Sequence, residues 1–297
     1  MRPAVFVLSC CLATMCLQPA TAQGGRFRGR PEEITNRVGA FFSEASAPAT
    51  EDGKPVDLAR CDLVQAASGA GQPSVLYLFD GGDDEDVRQQ FERAVLGTDE
   101  IGIMLRCFHC GSIDLQKAEA LKKQFAKQAP LFVTFDADGK AAETAAMSGY
   151  KASAKALEGA LQKAAQGAVK PSLAAFAKDY ANLVRDLEQL LSKQKALKER
   201  QAKAGADKAK KAEIEKDMAA LDKEQQKLLD KEKGLFEKVK PVERPASARR
   251  LGAPNFGGGR GGRNGGGENG GGGNGGGNGG GNGGGGGGGG GGRNNGG

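Results

Sequence analysis

The sequence is poor in the residues on which many catalytic sites depend. It contains no tryptophan, three tyrosines and a single histidine, His109, in 297 residues. With one histidine and no serine in a recognisable nucleophile motif, a Ser-His-Asp set is excluded. Glycine is abundant, but no glycine-rich loop follows a strand-like run at phosphate-binding spacing, which excludes a phosphate loop of that kind.

Cysteine is also scarce. Three of the six cysteines lie within the first 16 residues, and Cys61, Cys107 and Cys110 remain for a folded domain. Three is an odd number, so at most one internal disulfide can form and one thiol is left over. A small fold built on several disulfides is therefore excluded.

Long apolar runs are absent except at the N-terminus, where residues 4–17 follow Arg2 and precede Ala20-Thr21-Ala22. The run is shorter than the about 20 residues that a membrane-spanning helix needs, and the arrangement is typical of a cleaved signal peptide. We predict a signal peptide at residues 1–22 and an exported protein, periplasmic or extracellular. An uncleaved anchor is the alternative. We expect no membrane span in the mature chain.

The net charge of +6 is unevenly distributed. Residues 31–170 contain 15 Lys and Arg against 21 Asp and Glu, a net charge of −6. Residues 171–240 (17 against 13) and 241–297 (6 against 2) are each at +4. Residues 31–170, which include the segment expected to fold around one core, therefore lack the excess of positive charge that a nucleic-acid-binding domain has. We expect no nucleic-acid partner.

Residues 56–167 alternate strand-like and helix-like patterns, which predicts an α/β domain with a single core. Continuous apolar runs predict strands at 75–79, 101–105 and 131–135, and a Gly-containing turn at 136–139 predicts a return strand. Apolar residues at helical spacing predict helices at 57–67, 87–95, 115–125 and 157–164. Residues 23–55 are predicted to be a flexible lead-in, with a short helix around residues 34–43.

Residues 171–240 contain two heptad seams, one from Leu173 to Leu197 and one from Ile214 to Val239. The two registers do not join, and the slip falls near Gly205, where one helix could end and another begin. This favours an antiparallel helical hairpin; one long helix that dimerises in parallel is the alternative. In either arrangement we expect a protein partner or self-association through this coiled-coil segment. Its run of basic residues between 193 and 211 is predicted to be a solvated tip, with contact to an anionic surface as the alternative.

Residues 241–297 are predicted to be a disordered tail. From Gly257 onwards 30 of 41 residues are glycine, and the rest are only Asn, Arg and Glu. Such a segment has no apolar surface with which to offset the entropy of ordering. Arg-Gly repeats can bind RNA, but the arginines are few and aromatics are nearly absent, so a tether is favoured.

Two stretches give residues 56–167 their resemblance to a known family. Gln72-Pro73-Ser74 leads into the strand at 75–79, and Ala129-Pro130 leads into the strand at 131–135 and its Asp-Gly turn. The segment resembles the thioredoxin-like superfamily. The resemblance implies a central mixed sheet flanked by helices and a structural cis-proline at Pro130. It also implies a Cys-x-x-Cys motif directly after the strand at 75–79, but residues 81–86 are Gly-Gly-Asp-Asp-Glu-Asp, so the family's catalytic residues cannot be transferred.

A Cys-x-x-Cys motif does occur elsewhere, as Cys107-Phe108-His109-Cys110. One interpretation is a thiol–disulfide oxidoreductase with Cys107 as nucleophile, Cys110 as resolving thiol and His109 stabilising a thiolate. Another is that these are structural cysteines, partly buried or bridged locally or to Cys61. A zinc site would need a distant fourth ligand such as Cys61. We expect neither a metal nor a cofactor.

Together these patterns favour a non-catalytic binding or scaffold protein. The α/β domain is the folded module, the coiled-coil segment is the arm for association, and the glycine-rich segment is the tether. The thiol–disulfide oxidoreductase is the alternative.

Overall fold

The computed structural model describes residues 30–49, 54–205 and 207–253. The predicted signal peptide and residues 254–297 of the predicted tail lie outside the described residues. The helices are α1 Glu32–Val38, α2 Asp62–Gly69, α3 Glu85–Leu96, α4 Asp99–Met104, α5 Glu119–Phe125, α6 Ala154–Ala164, α7 Leu173–Lys203 and α8 Lys208–Val239. The strands are β1 Ala40–Glu44, β2 Ser74–Phe79, β3 His109–Asp114, β4 Leu131–Phe135, β5 Ala141–Ala146 and β6 Arg249–Leu251.

The strands form one mixed sheet in the order β5-β4-β2-β3-β1-β6. Strands β1, β3 and β2 are parallel, whereas β4, β5 and β6 each run antiparallel to their inner neighbour. Strand β4 is buried along its whole length and β2 along all but its last residue, as expected for continuous apolar runs in the middle of a sheet. The predicted mixed α/β class is confirmed.

Helices cover both faces of the sheet, and the two faces have separate cores. On the first face, Tyr77 stacks on Phe132 with ring centroids 4.7 Å apart, and α1, α3, α4, α6 and α7 pack over them. On the second face, Leu76 and Leu78 pack against α2 and α5. Alternate residues of β2 thus point into different cores.

The strand predicted at residues 101–105 was wrong, because these residues belong to α4 and the turn that follows it. The Thr98 hydroxyl accepts a hydrogen bond from the Ile101 N–H and caps the helix. A buried helix is apolar on every side, so its pattern cannot be distinguished from that of a buried strand. Gly102 permits this packing, since a Cβ there would lie 1.6 Å from the Val38 carbonyl oxygen.

Residues outside the predicted domain also belong to the sheet. Residues 30–49, assigned from composition to a flexible lead-in, form α1 and β1; the helix expected over 34–43 ends at Val38. Strand β6 lies within the predicted tail and pairs with β1, with Phe42 opposite Arg249. These corrections have one cause: β1 is stabilised by partners, β3 and β6, that are remote in sequence.

Helices α7 and α8 run antiparallel as a hairpin, which agrees with the register slip between the two seams. Near the base, the Tyr180 hydroxyl donates a hydrogen bond to Glu232. Farther out, Gln194 donates to Gln225 over 2.9 Å. Gly205, with φ of 56°, lies in the connecting turn. Among the described helices, none combines the length and the apolar content needed to cross a membrane.

Candidate functional site

Residues 80–84, between β2 and α3, lie where the resemblance would put redox cysteines. The Gly81 N–H donates to Asp114 over 2.9 Å, and the Gly82 N–H donates to Asp80 over 2.9 Å. The bond from Gly82 is the main reason that the pKa of Asp80 lies below its ordinary value. Carboxylates therefore take the place of a nucleophile in this loop, and hydrogen bonds hold the loop in position.

The same loop is bonded to its surroundings on two further sides. Asp84 accepts hydrogen bonds from the first-turn N–H groups of α3, which is an ordinary helix cap. The Tyr150 hydroxyl donates to Asp83. In the described part of the chain, no group of three or more His, Cys, Asp or Glu side chains could hold a metal ion.

Pro130 lies at the same edge of the sheet as this loop. The Ala129–Pro130 peptide bond is cis. Leu131 is paired with Leu78, so Pro130 lies beside the last residue of β2. The arrangement of strand, loop and proline is compatible with the resemblance, but the loop has no cysteines.

The Cys-x-x-Cys motif lies at the opposite edge of the sheet. Cys107 ends the turn Leu105–Cys107, and β3 begins at His109, which is paired with Ser74, the first residue of β2. The motif thus overlaps the start of its strand, with His109 and Cys110 as the first two residues of β3, instead of following a strand as the sequence suggested. The full length of β2 separates it from Pro130.

Both thiols of the motif are unpaired; Cys107 is buried and Cys110 is half-buried, and both positions favour the protonated form. Cys107 is 3% exposed, and burial raises its pKa to about 12. Burial likewise raises the pKa of Cys110, whose Sγ donates to the Phe108 carbonyl oxygen over 3.4 Å. An attacking cysteine needs the reverse shift, towards thiolate at neutral pH.

The imidazole of His109 is bonded to an amide group and not to a thiol. Its Nε2 lies 2.8 Å from Oε1 of Gln72. Because His109 and Cys110 are neighbours on a strand, their side chains point to opposite faces of the sheet. Burial lowers the pKa of His109, so the neutral ring is favoured.

Cys61 is separated from the motif by the sheet. Its side chain belongs to the core of the second face, whereas Cys107 belongs to that of the first. The Cys61 Sγ donates to the Ser46 carbonyl oxygen over 3.4 Å, and burial raises its pKa. The structure therefore does not bring Cys61 to Cys107 as a disulfide partner or as a fourth zinc ligand.

Two arginines that sequence reasoning missed join α1, the hairpin and the C-terminal segment. The guanidinium of Arg106 lies over the rings of Tyr180 (5.3 Å) and Phe236 (4.8 Å). Arg244 lies 4.1 Å over Phe41 and donates to main-chain carbonyl oxygens at the C-terminal end of α1. Burial lowers the pKa of Arg244 to about 10. No local motif signals either arginine, because each contacts residues far away in the sequence.

The distal half of the hairpin is the other distinctive feature. Leu173, Phe176, Tyr180, Leu183 and Leu187 belong to the core of the first face, with Leu191 packed against its edge. Beyond Leu191 the buried residues Leu197 and Ile214 belong to neither core. Most of the exposed side chains in this half of the hairpin are charged.

Comparison with known proteins identifies no relative from which a role could be transferred. No family model matches the sequence, and no curated protein matches it significantly. The function has to be inferred from the geometry of the chain itself.

Proposed function

We propose that this chain is an exported, non-catalytic interaction protein, in which a thioredoxin-like domain holds a helical hairpin as its binding arm. The observation behind this proposal is that the hairpin extends beyond the core that anchors it. Helix α7 has 31 residues, a length of about 46 Å, and only its first part packs on the α/β domain. The distal half contributes no residue to either core of the described α/β domain, so we assign it to association.

The thioredoxin-like assignment is supported by the order and direction of the strands and by Pro130. Three parallel strands are followed by two antiparallel ones, and the cis peptide bond lies beside the loop that follows β2. The carboxylates in residues 80–86 leave that loop without a nucleophile. In this proposal the domain is a scaffold that fixes the base of the arm.

The base of the arm is built for rigid attachment. Arg37 of α1 is bonded to Glu232 of α8, and Arg106 lies against rings from both hairpin helices. Such contacts fix the direction of the hairpin relative to the sheet. A rigid arm loses less conformational freedom when it binds a partner.

The alternative, a thiol–disulfide oxidoreductase that uses Cys107 and Cys110, has less support. Both thiols have raised pKa values, and His109 faces away from Cys110. Covalent exchange requires an accessible thiolate, which this environment disfavours. Cys110 lines a small cavity of about 40 Å³ together with residues 242–245 and Ala248 of the C-terminal segment.

The test is an insulin-reduction assay on the full chain and on its Cys107→Ser and Cys110→Ser variants, beside an oxidoreductase of known activity. We expect no turnover from any of the three chains. Catalytic turnover by the unmodified chain that is lost in Cys107→Ser would overturn the proposal.

A further inference from the structure

The tip of the hairpin concentrates the positive charge of the helical segment. We define the tip as residues 193–211, which contain eight Lys and Arg but only two Asp and Glu. The rest of residues 171–240 contains nine basic and eleven acidic side chains, so the +4 of the segment arises entirely at the tip. All eight basic side chains are exposed.

Three of these lysines lie where a positive charge opposes the helix dipole. Lys208, Lys210 and Lys211 lie in the first turn of α8, which contains no acidic residue. Cations there oppose the helix dipole and raise the free energy of the helix. Helices α1, α3 and α4 each begin with two acidic residues, whereas α6 and α7 begin with none. Residues whose charge opposes the stability of their own helix are expected at functional sites.

The geometry points to a flat anionic surface that meets the hairpin end-on. Arg200 and Lys203 lie in the last turn of α7, and the three lysines lie in the first turn of α8, so five cations of the tip lie within about one helical turn of the loop that connects the two helices. One helical turn is shorter than the Debye length of about 10 Å at 0.1 M salt, so we expect salt to screen the five charges from one another only in part. The closest opposing charge is Asp207, whose carboxylate pairs with Lys210 over 3.1 Å.

We infer that the hairpin tip binds the anionic headgroups of a lipid bilayer. Residues 193–211 contain no aromatic side chain on which nucleic-acid bases could stack. The described part of the tip exposes no large apolar side chain, so the contact is electrostatic and the helices do not insert. Seven of the eight cations are lysines, whose compact charges suit an array of mobile headgroups better than a fixed bidentate partner. Clusters of four to eight Lys and Arg are typical of anionic lipid binding.

This inference rests on the proposed role of the hairpin as an arm and names the partner of its tip. It requires that binding increase with the negative charge of the bilayer and decrease with salt. It also requires that the position of the lysines matter, and not only their number.

The experiment is vesicle flotation of the full chain with phosphatidylcholine alone or with about 30 mol % phosphatidylglycerol. The neutral vesicles measure any contribution from the apolar run at residues 4–17, which is subtracted. Two variants that each remove four positive charges from the hairpin are compared. The tip variant is Lys203→Gln, Lys208→Gln, Lys210→Gln and Lys211→Gln, and the matched control is Lys223→Gln, Lys227→Gln, Lys231→Gln and Lys233→Gln.

We expect the tip variant to lose at least about a hundredfold in association constant, at about fivefold per charge, and the control less than about fivefold. Raising the salt from about 0.05 to about 0.5 M should release the unmodified chain. The tip variant should melt close to the unmodified chain, because three of its substitutions remove cations from the N-terminus of α8 and offset the loss of Lys203 from the C-terminus of α7.

Equal losses in the two variants, or equal binding to neutral and anionic vesicles, would overturn the lipid inference. Duplex DNA and a second copy of the chain are tested at the same salt concentration. Tip-dependent binding to either, without binding to vesicles, would also overturn it while leaving the hairpin as an interaction arm. The insulin assay decides the non-catalytic proposal separately.

Discussion

Arg37 donates two hydrogen bonds to Glu232, from Nε to Oε1 and from Nη2 to Oε2, each 3.1 Å long. The two side chains are only 16% and 12% exposed. Glu232 also accepts from the Tyr180 hydroxyl, so one carboxylate connects α1, α7 and α8. Removing either partner of such a largely buried ion pair leaves the other charge unpaired and raises the free energy of the folded state. The contact therefore stabilises the base of the hairpin.

We predict that Glu232→Gln lowers the free energy of unfolding by about 2 kcal/mol, because it leaves the Arg37 guanidinium without its charged partner. Glu237→Gln, on an exposed position of the same helix, should change it by less than about 0.5 kcal/mol. Urea unfolding followed by circular dichroism measures both. Equal effects of the two substitutions would show that the ion pair contributes nothing specific.

Two helical glycines should respond to alanine in opposite directions. Gly102→Ala would place a Cβ against the Val38 carbonyl oxygen, and we expect a loss of about 3 kcal/mol or more. Gly159→Ala in α6 meets nothing within 4 Å and should stabilise the protein by about 0.5–1 kcal/mol. Thermal melting of both variants measures the difference. A Gly102→Ala protein as stable as the parent would contradict the close packing of α1 on α4.

Stability should decrease on acidification because of His109. Its pKa in the folded state is lowered by burial, so its contribution is fully present above the unfolded pKa of about 6.5. It is lost as the pH falls through the folded pKa, since the unfolded chain binds the proton more readily. The check is urea unfolding at several pH values from 8 to about 5. His109→Gln should lose less stability than the parent over this range, and parallel curves would contradict the shift.

The thiol of Cys107 should react slowly in the folded chain. With a pKa of about 12, its thiolate is about a thousandfold rarer at pH 8 than that of an ordinary cysteine. Alkylation with iodoacetamide, followed by peptide mass spectrometry, should therefore label Cys107 far more slowly in buffer than in urea. Comparable rates in the two conditions would revive the oxidoreductase interpretation.

The sequence predicts the elements whose patterns are local. The apolar run of β2, the stripe of α3 and the Gly139 turn between β4 and β5 are all found at the predicted places. The register slip near Gly205 likewise predicts the turn of the hairpin. In each case neighbouring residues alone determine the conformation.

The elements that sequence reasoning missed depend on distant partners. Residues 101–104 are helical because α4 is enclosed by the sheet, α1 and α7, and β1 is a strand because β3 and β6 pair with it. The depressed reactivity expected of Cys107 and Cys110 also follows from burial that a Cys-x-x-Cys spacing does not reveal. For the candidate site, the sequence showed which residues were present but not which edge of the sheet each occupies.

Strand β6 has a consequence for the order in which the chain acquires its structure. Its pairing joins Phe42 to Arg249, residues separated by about 200 positions, so this contact closes one of the largest loops in the molecule. During synthesis, β1 emerges early but gains its outer neighbour only after the whole hairpin has been made. Pairings of such high sequence separation form slowly. We therefore expect the outer edge of β1 to be open to other strands until the C-terminal segment arrives, with completion of the sheet among the last events of folding.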